Sequence, residues 1–196
     1  MLEATLDKKE YQEYKKKKVA KPLLWIGMMS ILMLFAGLTS AVIVRKGDGN
    51  WLQYELPEMF LWSTIVILIS SFGMVWAVYS AKKNDFKGIK LGVLSTLLLG
   101  VLFVIMQFMA YGQLVEEGIF FTGPSQNASG SYLYIISWMH LMHLLGGFVS
   151  LSIVLFNAIR EKYSSKNLLG LQVCSMYWHF MGGIWIYLYI FFRTVI

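Results

Sequence analysis

Residues 91–115 read LGVLSTLLLGVLFVIMQFMAYGQLV, a run without a single Asp, Glu, Lys or Arg. It exceeds the roughly 20 residues that a helix needs to cross the hydrocarbon core of a bilayer. Lipid offers no partner to a backbone N–H or C=O, so such a segment must satisfy its own hydrogen bonds, which a helix does and an isolated strand does not. Lys90 closes the run on one side and Glu116 with Glu117 on the other. Working outward, four more charge-free apolar runs lie near 23–44, 59–81, 132–159 and 168–192. The expected fold class is all-α, a polytopic membrane helix bundle of five transmembrane helices. Composition agrees, with 57% hydrophobic and 14% charged residues in 196, against about 25% charged in soluble domains.

The charges sort between the runs. Lys8, Lys9, Lys15, Lys16, Lys17, Lys18 and Lys21 precede the first, Lys82, Lys83, Lys87 and Lys90 lie between the second and third, and Arg160, Lys162 and Lys166 between the fourth and fifth. The opposite side holds only Arg45, Lys46 and Arg193, with Asp48, Glu55, Glu58, Glu116 and Glu117. The positive-inside rule then places the amino terminus in the cytoplasm and the carboxyl terminus outside. The net charge of +6 is thereby a topology signal, and no nucleic-acid partner is expected. Residues 1–22 form a cytoplasmic Lys-rich segment ahead of a membrane domain over 23–196, with no removable signal peptide expected. Gly47 to Asn50 leads to Pro57, placed to open the second helix, and Gly123-Pro124 breaks the third connection. The single Cys174 excludes an intrachain disulfide, and no zinc-type Cys/His spacing is present.

None of the runs carries the ionisable residue that pumps and ion-coupled transporters bury. Three histidines remain. His140 and His143 share one face of the fourth helix, and His179 lies on the fifth. At about 1.5 Å rise per residue, His143 stands about 24 Å, His140 about 28 Å and His179 about 16 Å from the cytoplasmic helix ends. A bis-His haem b anchor using His143 and His179, or a zinc or copper site, competes with a plainer reading: imidazoles that hydrogen-bond across helices or to a neighbouring subunit. Ser63-Thr64 and Ser70-Ser71, seven apart, read as small residues that let helices approach, as do Gly146-Gly147 and Gly182-Gly183. Gln107 is expected to bond across the bundle. Trp178 reads as a mid-span residue, whereas Trp185, Tyr187 and Tyr189 read as an outer aromatic belt.

The order of these residues resembles subunit III of cytochrome c and quinol oxidases, the haem–copper oxidase subunit III family, in its short five-helix form. The resemblance is carried by Trp138-Met139-His140-Leu141-Met142-His143 with Gly146, by Tyr177-Trp178-His179-Phe180 with Trp185, by Pro57 with Ser63-Thr64 and Ser70-Ser71, and by Gly100, Phe103, Gln107 and Tyr111 on the third helix. It departs from the family at Ile31, Ala110 and Gly182, where many members carry carboxylates, so no role resting on those acids transfers.

The resemblance implies a bacterial inner-membrane protein and an accessory subunit without catalysis of its own. It implies no cofactor in this chain, haem and copper in partner subunits, and packing against oxidase subunit I and other oxidase subunits. Bound phospholipid, and an upstream electron-donor respiratory complex as a further partner, complete the expectation. The packing, partner and lipid candidates are His140, His143, Gly146, Tyr177, Trp178, His179, Trp185, Gln107, Tyr111, Ser63, Thr64, Ser70 and Ser71. The alternatives are an accessory subunit of nitric oxide reductase and the bis-His haem anchor.

Overall fold

The computed structural model describes residues 8–123, 127–163 and 167–196, with side chains from residue 18 onward. Pro124 and Lys166, used above, lie outside the described residues. Five helices follow one another: α1 (Lys8–Gly47), α2 (Glu58–Lys82), α3 (Phe86–Glu116), α4 (Ala128–Ile159) and α5 (Leu169–Val195). No strand forms among the described residues. The helices coincide with the apolar runs within a few residues, except that α1 begins at Lys8 and carries Pro22 inside it. Helix α1 thus takes in most of the Lys-rich segment, where the charge pattern alone gave no element.

Local chemistry starts α2, α3 and α4. Pro57 occupies the N-cap position of α2, where its missing N–H costs nothing. Asp85 caps α3 by accepting from the Gly88 N–H at 3.1 Å. Asn127 caps α4 through Oδ1, which accepts from Ser129 N at 3.0 Å, Ser129 Oγ at 2.9 Å and, across the connection, Leu52 N at 3.3 Å. Asn127-Ala128-Ser129 resembles a glycosylation acceptor in sequence; in the structure it is a helix cap.

Helices α2 and α3 form the closest hairpin, and glycine permits it. A Cβ on Gly92 would stand 2.8 Å from the Ala77 amide and from the Gly73 carbonyl, so backbone lies directly on backbone there. Helices α4 and α5 complete a four-helix bundle in which α2 meets α3 and α5, and α4 meets α3 and α5. Helix α1 docks outside, against α4 and α5, through buried Met28, Phe35 and Val42. Residues seven apart stack into a nearly straight seam on an α-helix, so α1 is held along a line rather than over a broad face.

The two ends of the bundle are tied separately. At one, Lys46 Nζ and Trp51 Nε1 both donate to the Val195 carbonyl, at 2.7 and 3.1 Å. At the other, Lys90 pairs with Glu161 at 3.0 Å. The end of α1, the α1–α2 and α3–α4 connections and the end of α5 therefore share one pole. Four helices, α1 to α4, are long and apolar enough to cross a membrane. Helix α5 matches their length, at 27 residues, but its Tyr, Trp, His and Gly make it less apolar. Outward-facing side chains on the long helices are large and hydrophobic, reaching 73% exposure at Phe72 and 71% at Met33, the surface of a protein whose solvent is lipid.

Candidate functional site

The residues singled out in the sequence converge on the middle of the bundle, and α2 is the hub. Ser63 and Thr64 donate their hydroxyl protons to the Phe60 carbonyl, at 2.9 and 2.7 Å, and Ser70 donates to the Ile67 carbonyl at 2.7 Å. Each oxygen then keeps lone pairs for a neighbouring helix. Gln107 Nε2 donates to Ser63 Oγ at 2.7 Å, Trp185 Nε1 to Thr64 Oγ1 at 3.0 Å, and Trp178 Nε1 to Ser70 Oγ at 3.0 Å. All six of these groups are buried. These hydroxyls are acceptors that pin α3 and α5 to α2, a role beyond the close approach expected of small residues. Ser71 differs: it donates to the Ile67 carbonyl at 3.3 Å, and its oxygen faces Gly182.

Trp185 corrects the aromatic-belt expectation. Its indole has no exposed surface, stacks on Phe60 at 6.0 Å and meets the edge of Phe103 at 5.1 Å. The reason is its N–H, which finds an acceptor on α2 rather than at the headgroups. Trp178 enters a slot cut by glycine: a Cβ on Gly100 would lie 2.7 Å from its Cη2, and one on Gly147 3.3 Å from its Cζ3. Tyr187 is half exposed, yet its hydroxyl bonds Thr39 Oγ1 of α1 at 2.9 Å.

On the α3–α4 side, the Tyr111 hydroxyl donates to Ser137 Oγ at 2.9 Å, and Ser137 donates onward to the Leu133 carbonyl at 2.7 Å. Ser137 escaped the sequence reading; a Ser one turn before His140 on the same helix face was the available signal. Nearby, outside the helices, burial raises the Tyr54 phenol above the ordinary tyrosine range, reinforced by Tyr134 and Glu117. Burial likewise raises the Tyr163 phenol in the α4–α5 connection.

Among the described residues, neither His143 nor His140 makes a side-chain hydrogen bond to another helix of the chain. His143 Nδ1 donates to the Met139 carbonyl of its own helix at 2.7 Å, while the His143 carbonyl receives the Tyr177 hydroxyl at 2.8 Å. His140 is fully buried and neither ring nitrogen has a partner in the chain. Its surroundings are rings: Phe35 and Phe103 at 6.2 Å and Trp185 at 5.1 Å. Tyr177 faces α4, so His179, two residues and about 200° further round α5, points away from His143. The pair therefore does not converge on a shared ligand. Among the described residues no group of three or more His, Cys, Asp or Glu is gathered for a metal. Gly146 is exposed and lies beside the Tyr177 hydroxyl. Of the non-acidic positions, Ala110 is buried, and Ile31 stands one turn before Phe35 on α1.

An open groove of about 900 Å³ lies between the α1–α2 connection and the end of α5, lined by Glu55, Glu58, Trp62, Tyr189 and Arg193 among others. None of the candidates named from sequence lines it.

Comparison with known proteins gives this arrangement its family. The sequence pattern of the family described as cytochrome c oxidase subunit III matches residues 53–194, which takes in α2 to α5. The "Probable cytochrome c oxidase subunit 3" of Nocardia farcinica is 33% identical over 177 residues, covering 85% of this chain and 82% of its own length. That of Mycobacterium leprae is 30% identical over 168 residues, covering 84% and 82%, and the "Cytochrome c oxidase subunit 3" of Corynebacterium diphtheriae is 30% identical over 167 residues, covering 81% and 80%. Four long apolar helices together with these relatives make the chain an integral membrane protein. With α2 to α5 matched end to end and several relatives aligned over more than four fifths of its length, the chain belongs to the cytochrome c oxidase subunit III family.

Proposed function

We propose that this chain is a non-catalytic, cofactor-free accessory subunit of a haem–copper terminal oxidase. In this reading it packs on oxidase subunit I, holds phospholipid, and leaves oxygen reduction and proton pumping to its partners. All five helices cross the bacterial inner membrane, with the amino terminus in the cytoplasm, and α5 is the central strut rather than a lipid-facing span. Its lower apolarity suits that place, because its Trp side chains are spent on other helices.

The observation that carries the reading is how the polar side chains of the core are used. Ser63, Thr64, Ser70, Gln107, Tyr111, Trp178 and Trp185 are engaged in holding helix to helix. A scaffold needs this; a transporter needs free polar groups lining a route. Lipid occupancy is supported by the open groove, where Arg193 and exposed Trp62 share one lining, a combination suited to a headgroup above an acyl chain. His179 and Gly146 keep exposed surface and are candidates for contact with a partner or lipid.

Affinity purification of the tagged chain from solubilised membranes, followed by mass spectrometry and a pyridine haemochrome spectrum, tests this. The expected result is a haem–copper subunit I in equal amount, with all haem following that subunit when the complex is dissociated. Haem remaining with this chain would overturn the cofactor-free reading, and a nitric oxide reductase catalytic subunit in place of subunit I would transfer the assignment to that enzyme.

A further inference from the structure

His140 has no exposed surface, and both its ring nitrogens lack a partner in the chain. A neutral imidazole carries one N–H donor and one lone-pair acceptor, and a buried polar group left unmet is costly in a low-dielectric interior. The groups around the ring do not meet that need. Phe35 and Phe103 offer only rings, and the Trp185 N–H is already given to Thr64. Full burial also keeps a lipid or a neighbouring subunit from reaching it.

A second unmet group stands on the facing helix α3. Gln107 uses its amide N–H on Ser63, but its Oε1 is buried without a partner. Phe103, Gln107 and Tyr111 are four residues apart and share one face of α3. Phe103 packs on His140, and Tyr111 bonds Ser137 one turn away on α4. Gln107 lies midway between them on that face, between the levels of His140 and Ser137 on α4.

We propose that His140 and Gln107 form an internal water site: one water molecule donates to Gln107 Oε1 and bonds the nearer ring nitrogen of His140. The site is polar on two sides and closed by aromatic rings, the setting in which buried water persists. The second ring nitrogen faces the aromatic wall, whose π density takes an N–H weakly. The water extends the polar layer from Ser63 of α2 through Gln107 of α3 to His140 of α4, joining three helices.

Two measurements on the purified complex test it. A density map that resolves ordered internal water should show a peak within hydrogen-bond distance of both Gln107 Oε1 and a His140 nitrogen; ring carbons filling that space with no peak would overturn the site. The thermal midpoint of the chain is then compared in His140→Phe, Gln107→Leu and the double variant. A bridged pair predicts that His140→Phe lowers the midpoint and that the double variant loses less than the two single losses combined. A midpoint raised by His140→Phe, or full additivity, would mean that the ring is bonded to nothing.

Discussion

A serine or threonine hydroxyl has one proton and two lone pairs, and in α2 both capacities are used. The proton returns to a carbonyl one turn back, which turns the oxygen into an acceptor aimed at the next helix. Between lipid-covered helices such bonds contribute about 0.6 kcal/mol each on average, so their value lies in direction as much as in strength: each admits an indole or an amide in one pose. Trp178 shows how steric shape sets the same pose. Its indole reaches Ser70 only because Gly100 lacks a Cβ, which would otherwise stand 2.7 Å from Cη2 and 2.9 Å from Phe148 Cε1. Two rigid aromatic side chains cannot both yield. Gly100→Ala should therefore destabilise the bundle by about 1–3 kcal/mol, the usual cost of overpacking. The thermal midpoint of the solubilised protein should fall, whereas Gly112→Ala, at a site with nothing within 4 Å of the added Cβ, should leave it nearly unchanged. Equal midpoints for the two variants would show that the slot relaxes.

Among the elements, α1 stands apart. Its buried apolar residues form a single seam, Met28, Phe35 and Val42, with buried Thr39 one turn from Phe35, and the flanking faces expose Ile26, Met33 and Val44. Its polar ties are few: Thr39 with Tyr187, and Lys46 with the end of α5. The family pattern, too, matches only from residue 53 onward, after α1 has ended. Phe35 is the keystone of the seam, because its ring touches both His140 and His143. Phe35→Ala should cost about 3 kcal/mol in seam packing, enough to raise transient detachment of α1 roughly a hundredfold. Trypsin cleavage after Arg45 or Lys46 should accelerate in the detergent-solubilised variant while cleavage at Lys82 and Lys83 keeps its original rate. Acceleration at both places alike would mean that α1 and the bundle open as one unit. The seam also explains why helix faces were hard to read from sequence. A helix that is apolar all round gives no contrast between core and lipid, so its 20-residue length is legible and its inward side is not. For the same reason Trp185, placed by its position near aromatic neighbours, reads as an interface residue when it is the centre of the packing. Gln107 was legible because one amide in an apolar run must find a partner, and Ser63 and Thr64 only half so, since a small side chain and an acceptor are the same residue.

For the whole molecule, the alternation of the helices and the sorting of charge point to one orientation. The pole holding the α1–α2 connection and the end of α5 carries Arg45, Lys46 and Arg193, and all three cations are turned onto the chain itself: Lys46 caps the Val195 carbonyl, Arg45 donates to the Gly49 carbonyl at 3.2 Å and Arg193 to the Tyr189 hydroxyl at 3.4 Å. The opposite pole carries Lys82, Lys83, Lys87, Lys90, Arg160 and Lys162, and Lys90 is held in a salt bridge with Glu161. Cationic charge near the short connections is what retains a segment on the cytoplasmic side during insertion, and the second pole has the greater share. Its connection residues should face the cytoplasm. The native Cys174 is 2% exposed and leaves a quiet background for cysteine labelling. In intact cells a membrane-impermeant maleimide should label Asn50→Cys and spare Lys87→Cys, and permeabilising the inner membrane should make the second reactive. The opposite pattern would invert the bundle, and labelling of both in intact cells would remove the alternation that the two tied poles imply. Because α1 through α5 share those poles, one pair of labels orients every helix, α5 included, whose composition by itself does not identify it as a membrane span.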